Sequence, residues 1–219
     1  MLKSPEHLAQ IALRRIDNAG RSAREFFDRA TEIVVFGSMA AGLDGPKSDI
    51  DVLCIGNREC IVKTDSLDLI IVAHDAMKSP RWLQSELATH VSQYGVWIRG
   101  SPEWLVRTQV GPQAVEEKRR RVAAFMKYLP ASWLALEEGF RRKYSLKVRR
   151  EAQRLLLLER GVPVPPTRLL DAHWDRFSDS PHEIYECLSS SSRDRRSPFL
   201  RDFLARVDAS LQSTNAEGN

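Results

Sequence analysis

The stretch from residue 33 to residue 73 restricts the fold more than any other part of the sequence, because short apolar runs alternate there with glycine and aspartate. Residues 33–36 are apolar and mostly β-branched, which predicts a buried strand. Comparable runs predict further strands at residues 50–55, 67–73 and 96–98. Turn-forming glycine and proline separate the first two runs. The pattern therefore indicates a small β-sheet in the first half of the chain.

Outside these runs, apolar residues recur at the three- and four-residue spacing of helices. Ser4-Pro5 predicts a helix start, and Gly20 separates this helix from a second short one. A helix is also expected from Pro80 to Gln93. Further helices are predicted at residues 112–129, 131–160, 167–177, 181–189 and 197–211. The expected fold class is α+β: a small mixed sheet with flanking helices, followed by an all-α domain.

The change of character near residue 108 predicts the domain division. We expect a first domain at 1–108, a helical domain at 109–212 and a flexible tail at 213–219. No apolar run approaches the roughly 20 residues of a membrane helix, and the N-terminus lacks the apolar core of a signal peptide. A cytoplasmic protein without a membrane partner is expected. Cys54, Cys60 and Cys187 show no metal-binding spacing, which argues against a zinc site or a disulfide framework.

Two aspartates near the second strand carry the strongest chemical signal. Asp49 and Asp51 are two residues apart, so on a strand both carboxylates point to one face, about 6.6 Å apart along the backbone. Carboxylates held this close repel unless a cation lies between them. Mg²⁺ prefers such oxygen ligands and keeps positions open for phosphates. Asp68, inside the third apolar run, is expected to complete a two-metal site; nearby Asp65 is the alternative, assigned to the preceding turn.

Gly37-Ser38 directly follows the first predicted strand. Glycine lets the backbone approach a ligand closely, and the nearby N–H groups and the Ser38 hydroxyl are suited to binding nucleotide phosphates. A helix opening at Met39 would add its positive end. This geometry suits in-line attack on an α-phosphate, with pyrophosphate leaving.

The segment FGSMAAGLDGPKSDIDVLCIG, residues 36–56, resembles the signature of the DNA polymerase beta-like nucleotidyltransferase superfamily. The shared elements are Gly-Ser after an apolar residue, then Asp-x-Asp, then a lone acid between apolar residues. The small bacterial members, the minimal and kanamycin-type enzymes, are the most similar in layout. The motif resemblance covers roughly residues 31–105. It implies that Asp49, Asp51 and Asp68 are the catalytic metal ligands and that Gly37 and Ser38 hold the triphosphate.

The same resemblance implies the activity. The chain would be a metal-dependent nucleotidyltransferase of the EC 2.7.7 type, using two Mg²⁺ ions to move a nucleoside monophosphate from an NTP, with ATP favoured, to an acceptor hydroxyl. The chain departs from the family at Met39, Ala40 and Ala41, where members often carry arginine. The charge of the phosphates must then be met elsewhere.

Lys143 and Lys147 are the predicted source of that charge. They are four residues apart and so share a helix face, with Lys147 at the edge of the apolar stripe. We expect them to bind the β- and γ-phosphates; the alternative for Lys147 is an ion pair with Glu151. Core packing is the favoured interpretation of Trp97, Trp104 and Trp133, with stacking on a nucleobase as the alternative. A structural role is favoured for His74 over a place in the site.

The acceptor is left open by the sequence. Residues 107–160 contain 14 Lys or Arg and 6 Asp or Glu, a net charge of +8. This favours RNA or a protein over a cationic drug as acceptor, although a solvated helix face is the default interpretation of residues 118–121. The alternative from another class is a non-catalytic binding module with this fold, such as an antitoxin-like partner of a helical protein.

Overall fold

The computed structural model describes residues 3–132 and 137–172. Within these, the chain divides into two compact units. The first unit comprises residues 3–114 and 161–168, and the second comprises residues 115–160 and 169–172. The three-part division predicted from the sequence stays a prediction.

The first unit begins with two helices joined at a glycine, as predicted. Helix α1 spans Pro5–Ala19, and the Ser4 hydroxyl caps it by accepting a hydrogen bond from the backbone N–H of His7. Helix α2 spans Arg21–Arg29. Gly20 lies between them with a φ of 100°, a backbone conformation that an L side chain disfavours. The glycine therefore allows the chain to end one helix and start the next within one residue.

The sheet follows, with short helices between some of its strands. Strand β1 is Glu32–Phe36, the single turn α3 is Gly37–Ala40, and strand β2 is Ile50–Gly56. Strands β3 and β4 are Cys60–Lys63 and Leu67–Ala73. Helices α4 and α5 are Pro80–Leu83 and Glu86–Tyr94, and strand β5 is Val96–Arg99. The strand predictions for β1, β2, β4 and β5 are confirmed.

Two details of this part differ from the sequence predictions. Strand β3 was not predicted; it is short, and Ile61 and Lys63 are exposed, so it lacks a buried apolar run. The single helix predicted from residue 80 to residue 93 is wrong. It is broken after Leu83, because Ser85 takes an extended backbone and its hydroxyl caps α5 by accepting from the N–H of Ala88.

The strands form one mixed sheet in the order β3-β4-β2-β1-β5. Strands β2 and β4 are parallel, and the other neighbours are antiparallel. Each face carries its own apolar cluster: one packs with α1 and α2, the other with α5. In β2 the even-numbered residues Val52 and Cys54 face the first cluster, and Leu53 and Ile55 face the second. The sheet is thus covered on both faces, as the predicted α+β fold requires.

The second unit is helical. Helix α6 spans Pro112–Ser132 and runs into it from the first unit, α7 spans Glu138–Glu159, and the short helix α8 is Thr167–Ala172. The prediction of a helix start at residue 131 is wrong, because Glu137 is extended and α7 begins after it. Trp133, Leu136, Cys187, the predicted helices at 181–189 and 197–211, and the tail lie outside the described residues. No helix in the described ranges is long and apolar enough to cross a membrane.

A buried ion pair joins the two long helices of this unit. The Lys118 ammonium lies 2.9 Å from a carboxylate oxygen of Glu151, and both side chains are almost fully buried. Arg154 donates to the other Glu151 oxygen at 3.0 Å. Burial raises the pKa of Glu151, but the Lys118 hydrogen bond and the nearby cations outweigh it and hold this pKa below its ordinary value. The expectation of a solvated position for Lys118 is therefore wrong.

Candidate active site

Asp51 and Asp68 are direct neighbours across the parallel pair of β2 and β4. Residues opposite each other in register point to the same face of a sheet, here the face that carries Leu53 and Val72. Asp49 lies immediately before β2, two residues from Asp51, so the same alternation turns it to that face. Sequence spacing and sheet register together bring the three predicted acids to one place.

Gly37 forms the wall beside Asp51. It follows Phe36, which is the partner of Asp51 across β1 and β2. Its φ is +72°, and a Cβ atom placed on it would overlap the carboxylate of Asp51. The position therefore needs glycine for two reasons, its backbone conformation and the close approach of an acidic side chain. The predicted Gly-Ser turn and the Asp-x-Asp element are in direct contact.

The loop that joins α3 to β2 is held by short-range hydrogen bonds. The backbone N–H of Leu43 donates to the Ser38 carbonyl at 2.8 Å, and the N–H of Gly45 donates to the Ser48 hydroxyl at 2.8 Å. At its end, the N–H of Ile50 donates to the Ser66 carbonyl at 3.1 Å. These contacts fix Asp49 between the Gly-Ser turn and the start of β4. The helix expected after Gly37-Ser38 begins at Gly37 itself and is a single turn.

The acids act on each other electrostatically. Burial, and then the charges of Asp49 and Asp68, together raise the pKa of the Asp51 carboxyl to about 7, against a smaller opposing effect of Lys63. A carboxylate in this setting is stabilised by any cation that comes close to it. Oxygen-only donors of this kind match the preference of Mg²⁺.

The acids are nevertheless not a closed metal site. Among residues 3–132 and 137–172, no group of three His, Cys, Asp or Glu side chains is arranged to hold a metal ion. Asp68 has a protein partner instead, since its Oδ2 atom lies 2.5 Å from the Nζ atom of Lys63. The oxygen donors of the three acids fit a divalent ion, which at Asp68 would take the place of this ammonium.

Lys63 is a site residue that the sequence did not reveal. It lies opposite Asp68 across β3 and β4, so both side chains leave the same face. Its position could have been found only by predicting β3 and its register, because the sequence around it has neither a motif nor a buried run. The rival acid Asp65 is exposed in the bend before β4, as expected, whereas Asp68 is on the strand.

Two of the three missing arginines have a structural explanation. Met39 and Ala40 are 6% and 4% exposed and belong to the apolar cluster under α1 and α2, where an arginine would be buried. Another cation lies beside the loop instead. The Arg168 guanidinium packs against Gly45 so closely that a side chain at Gly45 would collide with it. Arg168 also acts electrostatically on Asp44, which pairs with Lys3.

Lys143 and Lys147, the other predicted phosphate-binding residues, belong to the second unit. The Lys147 ammonium lies 5.3 Å from the centre of the Phe125 ring, within the range of a cation–π contact. Glu151 is bound by Lys118, Arg154 and Arg121. The alternative pairing of Lys147 with Glu151 is therefore wrong, and the phosphate-binding role of the two lysines stays a prediction.

The remaining candidates have structural roles in the described residues. His74 follows the far end of β4 from Asp68 and lies 3.2 Å from the Thr31 hydroxyl. Trp104 is buried and its indole N–H donates to Glu32 at 3.3 Å. Trp97 packs near it, with ring centres 6.1 Å apart. Core packing, the favoured interpretation of these aromatic side chains, agrees with these contacts.

The sequence matches a known family of protein domains. Residues 19–97 match the family described as the nucleotidyltransferase domain. The match begins at the end of α1 and ends in β5, so it includes the sheet, the glycine turn and all three acids. No curated protein matches the sequence significantly.

Proposed function

Because residues 19–97 form a nucleotidyltransferase domain of the DNA polymerase beta-like superfamily, we propose that this protein moves a nucleoside monophosphate from an NTP to an acceptor hydroxyl. The proposed donor is ATP, the proposed cofactor is Mg²⁺, with two ions, and pyrophosphate is the leaving group. The family match supports nucleotide transfer in general. The donor, the metal and the acceptor are the parts that this proposal adds.

One observation carries the proposal more than any other: Asp51 contacts the glycine of the Gly-Ser turn and lies opposite Asp68 in register. A structural role gives no reason to gather three acids on one face, since their repulsion destabilises the fold. A site that receives cations and phosphates does give such a reason. The charged Asp51 carboxylate destabilises the fold, and a bound cation then offsets this loss of free energy.

Each residue has a proposed task. Asp49 and Asp51 bind the cations, and Asp68 completes the set and accepts the proton of the acceptor hydroxyl. Gly37 leaves room for the phosphates, and the backbone of the turn and the Ser38 hydroxyl hold them. When bound, the two ions would activate the attacking oxygen and stabilise charge on the reacting phosphate. The residues of this chain hold the phosphates and the attacking oxygen in the geometry of in-line attack.

The basic residues of the second unit bear on which class of acceptor the protein would use. Several of its cations are already paired inside the unit: Lys118 and Arg154 with Glu151, and Arg119 with Glu159. Arg150 is paired with Asp171. Of these, only the Arg150–Asp171 pair lowers the net charge of residues 107–160, because Glu151 and Glu159 are already subtracted in it. We keep RNA or a protein as the favoured acceptor class, since the net charge of this segment is still positive.

A double substitution tests the proposal. Asp49→Ala with Asp51→Ala should leave the fold intact and abolish pyrophosphate release from labelled NTPs, as well as the labelling of any acceptor found by mass spectrometry. The matched control is Asp65→Ala, which removes an exposed acid from the bend before β4 and should retain full turnover. Unchanged turnover in the double variant would refute the assignment.

Nucleotide binding gives a second readout that does not require the acceptor. Mg²⁺ with the correct NTP should raise the thermal unfolding midpoint of the wild-type protein and not that of the double variant. If no NTP shifts the midpoint of the wild-type protein, the protein is the non-catalytic binding module instead. That outcome would leave the fold assignment unaffected.

A further inference from the structure

Lys63 is the cation that the fold itself brings to the acidic cluster. Strand β3 lies at the edge of the sheet and pairs with β4, and in this register Lys63 is opposite Asp68. Its Nζ atom lies 2.5 Å from Oδ2 of Asp68. The charges of Asp49 and Asp51 also act on this ammonium. One lysine is therefore attracted by all three acids.

An ordinary surface ion pair does not account for this arrangement. Exposed pairs contribute little to stability and form where both partners are free to leave. The Asp68 side chain is 22% exposed, and its neighbour on β2 is the acidic Asp51 rather than a second cation. Lys63, by contrast, is 67% exposed on a flexible stem, so it can withdraw without disturbing the core. The pair joins a fixed acid to a movable cation.

The position of Lys63 also bears on how the acids could bind a metal ion. Among the residues that the structure describes, no three metal-binding side chains form a ready site, although three carboxylates share the face. The oxygen of Asp68 that a metal ion would need is bound by the ammonium. A divalent ion and this ammonium cannot occupy the same place beside the same oxygen, because like charges repel.

We propose that Lys63 is a positioning residue that competes with the metal ion for Asp68: it holds this carboxylate in the metal-free protein and is displaced when a divalent ion binds all three acids. This inference rests on the proposed function, because it assumes that Asp49, Asp51 and Asp68 are metal ligands. Lys63 lowers the affinity of the metal-free protein for divalent ions, so occupancy depends on an ion that arrives together with the NTP, whose phosphates supply further ligands.

Mn²⁺ binding to the full chain without nucleotide tests this competition, with free Mn²⁺ measured by electron paramagnetic resonance at low ionic strength. Lys63→Met removes the competing charge and keeps an apolar stem. Lys78→Met removes the same charge from an exposed lysine past the far end of β4. We expect Lys63→Met to bind Mn²⁺ about tenfold more tightly than the wild-type protein. Lys78→Met should bind it as the wild type does.

The variants also separate this inference from the proposed function. If wild-type protein binds Mn²⁺ and Lys63→Met binds it no more tightly, the competition is refuted and the metal ligands stand. If neither binds Mn²⁺, both are refuted. In Asp68→Asn, the additional change Lys63→Met should have a much smaller effect, because the carboxylate for which the ammonium and the metal ion compete is replaced by a neutral amide; a full tenfold gain there would overturn the role of Asp68. Circular dichroism checks folding, and Lys63→Gln replaces Lys63→Met if the latter does not fold.

Discussion

The carboxylate of Asp51 lies so close to the α-carbon of Gly37 that no side chain fits between them. This contact links the turn after β1 to the strand that carries the acids, and both belong to the first unit. Glycine adopts this positive φ without strain, whereas an acidic side chain pressed against the backbone is unfavourable unless a partner compensates its charge. This contact therefore supports the proposed ligand site.

Gly37→Ala should damage both stability and turnover. A Cβ atom at this φ is strained and collides with Asp51, so we expect the free energy of unfolding to fall by about 1–3 kcal/mol. Displacement of Asp51 should lower nucleotide turnover at least ~100-fold. Urea unfolding and pyrophosphate release measure the two effects. Gly139→Ala in α7, with open space around it, is the control and should be neutral or slightly stabilising.

Asp51→Asn should make the metal-free protein more stable, by an amount that depends on pH. The pKa of Asp51 is raised from 3.8 to about 7 in the folded protein, so the folded state binds the proton more tightly than the unfolded state. The charged carboxylate therefore destabilises the fold increasingly as pH rises from about 4 to about 7. The advantage of the variant should grow across this range to about 1–3 kcal/mol, less than the full shift because solvent screens part of the charge.

Urea unfolding in EDTA at pH 5, 6, 7 and 8 measures this difference. Asp65→Asn, in the exposed bend before β4, is the matched control and should follow the wild-type protein at each pH. A stability difference for Asp51→Asn that stays constant between pH 5 and pH 8 would contradict the role of the buried charge.

Mg²⁺ affinity should rise with pH through neutrality. A metal ion binds the ionised carboxylate, so a proton on Asp51 competes with it below a pKa of about 7. The apparent affinity should increase by up to about tenfold per pH unit below 7 and level off above it. Calorimetric titration at pH 6, 7 and 8 measures this. An affinity that is equal at pH 6 and pH 8 would show that Asp51 is not a ligand.

Glu151→Gln should destabilise the second unit far more than a comparable surface change. It leaves the Lys118 ammonium buried next to a neutral amide, which should lower the free energy of unfolding by about 3 kcal/mol. The pKa of Glu151 is lowered in the folded state, so its contribution is present above the unfolded value of 4.5 and is lost as pH falls below it. Urea unfolding at pH 7 measures the change.

The matched control for Glu151→Gln is Glu116→Gln. Glu116 pairs with Arg119 on the same unit, and both side chains are 53% exposed. We expect a loss of less than ~1 kcal/mol there, as for other exposed pairs. Similar losses in the two variants would show that the burial of the Lys118–Glu151 pair has no energetic consequence.

The sequence predicted those parts of the fold whose signal is local. Buried strands such as β2 are apolar runs, and the spacing of Asp49 and Asp51 fixes their common face without knowledge of the rest. The contact of Gly37 with Asp51 was predictable as proximity, because the end of one strand and the start of its antiparallel neighbour meet at one end of a sheet. The short distance between the two residues depends on atomic positions, which residue spacing in the sequence does not give.

What the sequence did not predict depends on pairing between distant residues. Lys63 becomes a neighbour of Asp68 only through the register of β3 on β4, and β3 has an exposed Ile61 where a strand pattern would need a buried residue. The burial of Lys118 depends likewise on Glu151, which is 33 residues away in the chain. Sequence analysis places a charged residue on the surface by default. A buried one is recognised only when its ion-pair partner is known.

The turn at residues 57–59, which joins β2 to β3, lies at the opposite end of β2 from Asp51 and is exposed. At about 3.3 Å per residue, the strand holds it well over 10 Å from the acids. A fluorophore attached there would be remote from the acids, so labelling at this turn should leave cation and nucleotide binding unchanged. The turn before the edge strand that carries Lys63 is thus a labelling position outside the candidate site.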